Sequence, residues 1–159
     1  MKTMLIARSV AGAGKSYLCK QIKSYNESCH IKTEIFSTDN FWLLATGEYR
    51  FDPTRLGIAH AWNQRQVEIA LDRENVAERP DCVIIDNTNL RFEELIPYLK
   101  IAKYRGIPAF EVVPNTPWMY NIDELVKRNQ HGVPRETIER MLARFEASLQ
   151  TRIMDYMLS

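Results

Sequence analysis

The segment from residue 9 to residue 16 combines glycines, a lysine and a serine at a spacing suited to phosphate chemistry. Its sequence is SVAGAGKS, which matches the phosphate-loop pattern G-x-x-x-x-G-K-S/T except at the first position, where Ser9 stands. The glycines permit a tight backbone whose N–H groups face an anion, and Lys15 adds positive charge beside it. The Ser16 hydroxyl is suited to Mg²⁺. The alternative is a glycine-rich turn before an ordinary helix.

Two aspartates follow apolar segments that are typical of buried strands. Asp39 comes shortly after residues 33–37, and Asp86 directly follows residues 82–85. Beside a phosphate loop, Asp39 is placed to act as a general base that takes a proton from an acceptor hydroxyl. Asp86 is placed to hold Mg²⁺ together with Ser16. The alternatives are a helix cap or a turn for Asp39 and a strand-ending turn for Asp86. Because both aspartates occur together with a phosphate loop, we favour the general base for Asp39 and the Mg²⁺ ligand for Asp86.

A group of basic side chains lies between residues 121 and 144. They are Lys127, Arg128, Arg135, Arg140 and Arg144. Arginines on a helical lid over about residues 121–136 can close over a polyphosphate and stabilise the transferring charge. The alternative is pairing four residues apart on a solvated helix face, as for Arg128 with Glu124 and Arg140 with Glu136. We predict a functional role for one or two of these arginines.

The elements that must position these groups alternate between strand and helix patterns. Apolar runs predict strands at residues 4–7, 33–37, 82–85 and 109–113. Helical periodicity predicts helices at residues 15–25, 54–75, 96–104 and 121–130, and a single last helix carrying Ile138, Met141, Leu142, Phe145, Leu149 and Ile153. Pro97 is predicted to lie in the first turn of its helix, and Gly106 to end that helix. Residues 40–53 indicate an irregular loop with room for a short helix.

This alternation predicts an α/β fold, and together with the phosphate-loop pattern at residues 9–16 it predicts the P-loop NTPase type. We expect a parallel β-sheet of four or five strands, flanked by helices on both faces, with a C-terminal helical lid region and one domain over residues 1–159. In such sheets ligands bind at the carboxyl ends of the strands. The phosphate loop, Asp39 and Asp86 are therefore expected to meet at one edge of the sheet.

Composition adds limits rather than a function. The chain has 159 residues, 45% of them hydrophobic, and a net charge of +1, so disordered and fibrous classes are excluded. The charge is uneven, since residues 1–32 carry six basic side chains and a single acid, Glu27. The three cysteines lack a C-x-x-C spacing, and no apolar run of about 18 residues occurs. We therefore expect a cytoplasmic protein without a membrane partner.

Several sequence blocks carry a resemblance to a known family. They are residues 11–16 (AGAGKS), 37–41 (STDNF), 47–53 (GEYRFDP), 56–63 (LGIAHAWN), 84–90 (IIDNTNL), then Arg128-Asn129 and 132–134 (GVP). In this order and spacing the chain resembles the polynucleotide 5′-hydroxyl kinase-like branch of the P-loop kinases. The resemblance implies ATP with Mg²⁺, transfer of the γ-phosphate to a hydroxyl, Asp39 as the base and Arg128 facing the phosphates.

Three positions depart from the family pattern. The family usually has glycine where Ser9 stands, often has a second aspartate where Asn40 stands, and in the phage enzymes carries an arginine near the place of Trp42. The predicted ATP-binding residues are Ala11, Gly12, Ala13, Gly14, Lys15, Ser16, Tyr17 and Arg128. The candidate acceptor contacts are Thr38, Phe41, Arg50, Thr88 and Asn89.

The sequence thus predicts an ATP-dependent kinase acting on a hydroxyl of a nucleic acid or nucleotide, most simply a 5′-hydroxyl polynucleotide end. Lys15, Asp39 and Arg128 are its predicted catalytic residues. One alternative is a related kinase for a hydroxymethylated DNA base or a small metabolite. Another is an ATP-binding or ATPase module that regulates a partner without phosphoryl transfer, which the departures at Ser9, Asn40 and Trp42 favour.

Overall fold

A parallel four-stranded sheet forms the centre of the molecule. The computed structural model describes residues 1–43 and 47–159. Its strands are β1 (Thr3–Ala7), β2 (Thr33–Phe36), β3 (Cys82–Asp86) and β4 (Ala109–Val112), in the spatial order β2-β3-β1-β4. All three pairings are parallel. The predicted α/β fold is confirmed, and four is the number of strands in the described part of the chain.

Seven α-helices surround the sheet in the described residues. They are α1 (Lys15–Ser28), α2 (Asp39–Leu43), α3 (Leu56–Leu71), α4 (Phe92–Tyr104), α5 (Ile122–Arg128), α6 (Arg135–Arg144) and α7 (Gln150–Leu158). The predicted helix over 54–75 is therefore shorter than expected, with single 3₁₀ turns at Pro53–Arg55 and Val76–Glu78 on either side. Part of the predicted loop 40–53, residues 44–46, lies outside the described residues.

Both faces of the sheet are covered, because successive strand residues point to opposite sides. On one side Met4 and Ile6 pack in a buried cluster with residues of α4 and α7, among them Leu99 and Ile153. On the other side residues of β1 and β3 pack with Cys19 of α1. In the described chain no helix is long and apolar enough to cross a membrane.

The helix around Pro97 begins earlier than predicted. It starts at Phe92, so Pro97 is interior rather than in the first turn. Proline lacks the N–H that would bond to the carbonyl one turn earlier. The start of the helix is stabilised by two side chains. The Arg91 N–H donates to the Glu94 carboxylate, and the Phe92 N–H donates to the Glu146 carboxylate. Gly106, with φ 64°, follows the helix end as predicted.

The predicted single last helix is two helices, α6 and α7, separated at residues 145–149. The apolar spacing continues across this break, and tertiary contacts decide against a continuous helix. The Glu146 N–H donates to the Leu90 carbonyl, and the Leu149 N–H donates to the Glu111 carboxylate. These bonds take the backbone groups that a continuous helix would have used.

A buried arginine joins this break to the sheet. Arg8 follows β1, is fully buried, and forms an ion pair of 2.8 Å with Glu111. Its guanidinium also donates to the carbonyls of Asn89, Leu90 and Glu146 at 2.7–2.9 Å. A buried charge with all these partners is stable only in one arrangement. Arg8 therefore fixes where the chain enters the glycine-rich segment that begins at Ser9.

Candidate active site

The glycine-rich segment forms a loop between β1 and α1. Gly12 and Gly14 have φ of 83° and 95°, which side chains rarely adopt. A Cβ built at Gly12 would lie 2.4 Å from the Leu125 carbonyl oxygen of α5, so this position admits only glycine. Ser9 is fully buried, and its N–H donates to the Thr88 carbonyl at 3.1 Å. Among the described non-glycine residues only His30 and Asn89 have positive φ, so serine at position 9 introduces no strain of this kind.

The N-terminus of α1 faces this loop with unsatisfied donors. Gly14 precedes the helix in the left-handed conformation and makes no side-chain cap. Among the described residues, no partner accepts the N–H groups of Lys15, Ser16 or Tyr17. These groups, together with the helix dipole, favour an anion at this point. The predicted glycine-rich loop before a helix N-terminus is present, and phosphate binding there stays a prediction.

A close ion pair stands beside the loop. The Lys15 Nζ lies 2.5 Å from the Asp86 Oδ1, and the two side chains are only 13% and 8% exposed. Asp86 is brought here because it pairs with Ala7 in the β1–β3 register. Burial and the Asp86 charge raise the pKa of the nearby Cys19 thiol to about 12, so that thiol stays neutral at physiological pH. If a phosphate and a cation bound here, the phosphate would take the place of Asp86 beside Lys15, and the cation would take the place of Lys15 beside Asp86.

The donor set suits Mg²⁺ rather than a transition metal. Ser16 is exposed at the start of α1, and Asp86 ends β3. A hydroxyl and a carboxylate, completed by phosphate oxygens and water, are the ligands that Mg²⁺ uses in such sites. In the described chain no cluster of three or more His, Cys, Asp or Glu side chains forms a metal cage. These residues therefore fit a magnesium–nucleotide complex.

Asp39 begins α2, and its carboxylate is 44% exposed. The Tyr49 hydroxyl donates to its Oδ1 at 3.3 Å, and the His131 Nε2 lies 3.4 Å from its Oδ2. The two rings stack on one another with centroids 4.2 Å apart. Burial and the Asp39 charge raise the pKa of Tyr49 to about 12, so its hydroxyl remains a donor. The carboxylate is held by two long contacts and remains partly exposed to solvent.

A cluster of aromatic side chains includes Phe41 and Trp42, which follow Asp39 in α2. Phe41 packs against Trp42 and Trp62 with ring centroids 5.0 and 5.9 Å apart, and the Arg55 guanidinium lies 5.2 Å from its ring centroid. Phe51, which contacts Trp42, is 52% exposed. The exposed Phe51 ring is suited to stacking on a planar ligand, and the Arg55 guanidinium over the half-buried Phe41 ring adds positive charge to the cluster.

Thr38 belongs to a polar network behind Asp39. Its N–H donates to Asn87 Oδ1 at 2.9 Å, and its hydroxyl lies 3.4 Å from His60 Nδ1. Asn87 in turn donates to the hydroxyl of Tyr98, which is buried. Burial lowers the pKa of His60, so its imidazole is neutral at physiological pH. The network joins the ends of β2 and β3 and fixes the start of α2.

The other predicted site residues lie in different surroundings. The Arg128 guanidinium stacks on Trp118, 3.7 Å from the ring centroid, and bonds to Glu124. Arg50 is exposed and pairs with Glu48. Asn89 is buried, and its amide donates to the Ala7 carbonyl.

Four residues at the site were not among the site residues predicted from the sequence. Tyr49 and His131 contact Asp39, while Thr116 and Trp118 donate to carbonyls of the glycine-rich loop. Tyr49 lies within the block 47–53, which is the one sequence indication that pointed to it. His131 and Trp118 were ambiguous by type alone, because a helix-end histidine and a core tryptophan are common.

The fold and the loop define a P-loop nucleotide-binding domain. Residues 4–148 match a family model described as AAA domain. The match spans most of the chain, so the chain belongs to this AAA domain family.

The chain is also similar to individual proteins, one by sequence and two by structure. NEDD4-binding protein 2 of Homo sapiens is 33% identical over 151 residues, which are 95% of this chain but 8% of that protein. The chain thus spans a small part of this curated relative. A chain of the Pnkp1/Rnl/Hen1 RNA repair complex aligns with a TM-score of 0.60 and 22% identity, over 90% of this chain and 43% of that one. The Mycobacterium tuberculosis APS kinase CysC in complex with AMPPNP and APS aligns with a TM-score of 0.50 and 17% identity, over 73% and 64%. At these identities the two structures bear on the fold alone.

Proposed function

We propose that this domain is an ATP-dependent kinase that transfers the γ-phosphate to a hydroxyl of a nucleic acid or nucleotide, most simply a 5′-hydroxyl end. The observation that carries the proposal is the position of Asp39. This half-exposed carboxylate follows β2, the phosphate loop follows β1, and Asp86 ends β3, which lies between β1 and β2 in the sheet. A base and a polyphosphate site thus share one edge of the sheet.

The nucleotide side would bind the polyphosphate of ATP. The N–H groups of residues 12–17 and the Lys15 ammonium hold the β- and γ-phosphates. Ser16 and Asp86 hold Mg²⁺, which when bound neutralises charge on the phosphate oxygens. Arg128 serves as a clamp from the proposed lid over about 121–136, after leaving Glu124 for the phosphates. We take residues 1–159 as one domain that contains this lid.

On the side of the site that binds the phosphate acceptor, Asp39 would act as the general base. Asp39 takes the proton of the acceptor hydroxyl while the new O–P bond forms and the bond from the γ-phosphorus to the bridging oxygen breaks, which releases ADP. One of the two long contacts to Asp39 must yield to the hydroxyl. The Thr38 network keeps the carboxylate at the end of β2 during this exchange.

The surroundings of Asp39 favour an acceptor with a ring and a phosphate. Phe51 offers an exposed ring for a base or sugar, and Arg55, which lies over the half-buried Phe41 ring, offers positive charge. Arg50 lies next to Phe51 in the chain and is a second candidate cation. Thr88 is half-buried, and the Asn89 amide already donates to the Ala7 carbonyl, so Asn89 is less available to an acceptor than Thr88.

The experiment is a transfer assay with γ-labelled ATP and Mg²⁺. The acceptors are 5′-hydroxyl DNA, 5′-hydroxyl RNA, hydroxymethylated DNA, nucleosides, and buffer alone. We expect label on oligonucleotide 5′ ends, and no label on the same oligonucleotides that already carry a 5′-phosphate. Label found only on a modified base or a small molecule would select the kinase alternative. ATP binding or slow hydrolysis that no acceptor changes would select the regulatory module and overturn the proposal.

A further inference from the structure

Two side chains that follow β4 contact the outer face of the glycine-rich loop. The Trp118 indole Nε1 donates to the Gly12 carbonyl at 3.1 Å, and the Thr116 hydroxyl donates to the Ala13 carbonyl at 2.9 Å. Both donors are far from the loop in the sequence, separated from their acceptors by 106 and 103 residues. Consecutive carbonyls of one short loop are thus each held by a side chain.

These bonds fix the direction of the loop N–H groups. In a planar trans peptide the C=O and the following N–H point in opposite directions. When Thr116 holds the Ala13 carbonyl, the Gly14 N–H must point to the opposite side of the loop. When Trp118 holds the Gly12 carbonyl, the Ala13 N–H also points to the opposite side of its peptide, where it donates to the Val10 carbonyl in a long hydrogen bond of 3.4 Å. These N–H groups are among those that a phosphate loop uses to bind anions.

Packing leaves the loop little freedom to turn these peptides over. The Leu125 carbonyl of α5 lies against Gly12, and the Thr116 methyl group is 3.3 Å from a Cβ built at Gly14. Trp118 has a second contact, because the Arg128 guanidinium lies over its indole ring. The same tryptophan therefore touches the phosphate loop and the arginine proposed to clamp the phosphates.

We propose that Thr116 and Trp118 are positioning residues for polyphosphate binding, which they support by holding the Gly12 and Ala13 peptides with their N–H groups turned toward the ligand. The proposal rests on nucleotide binding by this loop. It assigns the two side chains no contact with the nucleotide. Their effect should therefore appear with any ligand that carries the phosphates, whether or not it has a base.

The test measures dissociation constants for MgATP and for Mg-tripolyphosphate by titration calorimetry on the full chain. Thr116→Val removes the hydroxyl at constant shape, Thr116→Ser keeps it, and Trp118→Phe removes the indole N–H while leaving a ring for Arg128. We expect Thr116→Val and Trp118→Phe each to weaken both ligands about three- to tenfold, and Thr116→Ser to bind within about twofold of the wild type. Thr151→Val, on the exposed side of α7, is the matched control and should bind normally.

Three results would overturn the inference. In the first, Thr116→Val and Trp118→Phe bind both ligands as the wild type does. In the second, Thr116→Ser and Thr116→Val lose equal affinity, which would mean that packing rather than the hydroxyl matters. In the third, ATP binding weakens while tripolyphosphate binding does not. A wild-type chain that binds neither ligand would overturn the proposed function together with this inference, and so is distinguishable from the other three. Thermal melting of each variant separates loss of fold from loss of affinity.

Discussion

The nucleotide side and the acceptor side of the candidate site are built in different ways. On the nucleotide side the Lys15–Asp86 pair is mostly buried with a 2.5 Å contact, and the loop is held from behind by side chains and by α5. On the acceptor side Asp39 is 44% exposed, and its contacts measure 3.3 and 3.4 Å. The backbone of the nucleotide side is therefore held by contacts within the protein that lie behind the loop. The acceptor side is held by contacts that a substrate hydroxyl can replace.

The difference fits what each side is proposed to bind. A polyphosphate presents the same charges in every reaction, so a fixed array of donors serves it well. Half-exposed contacts such as those of Asp39 contribute little stability, because water competes for both partners. A single mutation should therefore affect stability strongly on the nucleotide side and turnover selectively on the acceptor side.

The largest effect is expected from Asp39→Asn. The amide keeps the shape of the side chain but cannot take the proton of the acceptor, so the transfer rate should fall by about a hundred- to ten-thousandfold. The affinity for MgATP should stay within about twofold of the wild type, because the residue lies outside the phosphate loop. Single-turnover transfer and calorimetry give the two values separately. Asp155→Asn on α7, an exposed aspartate, is the control and should change neither.

Two outcomes would remove the distinction between the sides. Asp39→Asn with full transfer activity would show that another group accepts the proton. An equal loss of transfer and of ATP affinity would show that Asp39 belongs to the nucleotide side.

The next effect is the loss of stability expected for Gly12→Ala. A methyl group there meets the Leu125 carbonyl at 2.4 Å, and alanine also disfavours the φ of 83°. Backbone strain and overpacking together should lower the free energy of unfolding by about 3 kcal/mol and weaken MgATP binding. Chemical denaturation measures the first quantity and calorimetry the second.

A matched control separates strain from overpacking. Gly106 also has a positive φ, 64°, but a Cβ there has no neighbour within 4 Å. Gly106→Ala should cost about 1 kcal/mol and leave ATP affinity unchanged. If the two alanine variants were equally stable, the contact between α5 and the loop would not be tight.

The sequence was informative where chemistry is encoded in a short contiguous pattern. The glycine-rich loop, the places of Asp39 shortly after β2 and Asp86 at the end of β3, and the α/β alternation all follow from local residue types and spacing. Contacts between distant residues were not predictable. Thr116 and Trp118 reach the loop across about a hundred residues, and the break between α6 and α7 depends on bonds to Leu90 and Glu111. Periodicity alone cannot detect such partners, since the apolar spacing runs on through the break.

A smaller and more selective effect is expected from Tyr49→Phe. This change removes the hydroxyl that donates to Asp39 but keeps the ring that stacks on His131. The carboxylate should lose part of its orientation, so the transfer rate should fall by about tenfold with little change in ATP affinity. Tyr25→Phe, on the exposed face of α1, is the control. Unchanged turnover in Tyr49→Phe would mean that the contact does not orient the base.

The smallest effect is expected from Phe51→Ala. The side chain is 52% exposed and contacts Trp42 at the outer edge of the aromatic group, so its loss should not alter the melting temperature. If it stacks on an acceptor, the KM for a 5′-hydroxyl oligonucleotide should rise by about three- to fivefold while kcat and the KM for ATP stay the same. Ile69→Ala, an exposed apolar position on α3, controls for the loss of a surface side chain. A raised KM for ATP would show that Phe51 belongs to the nucleotide side. A lowered melting temperature would show that Phe51 contributes to the core, and either result would contradict its place on the acceptor side.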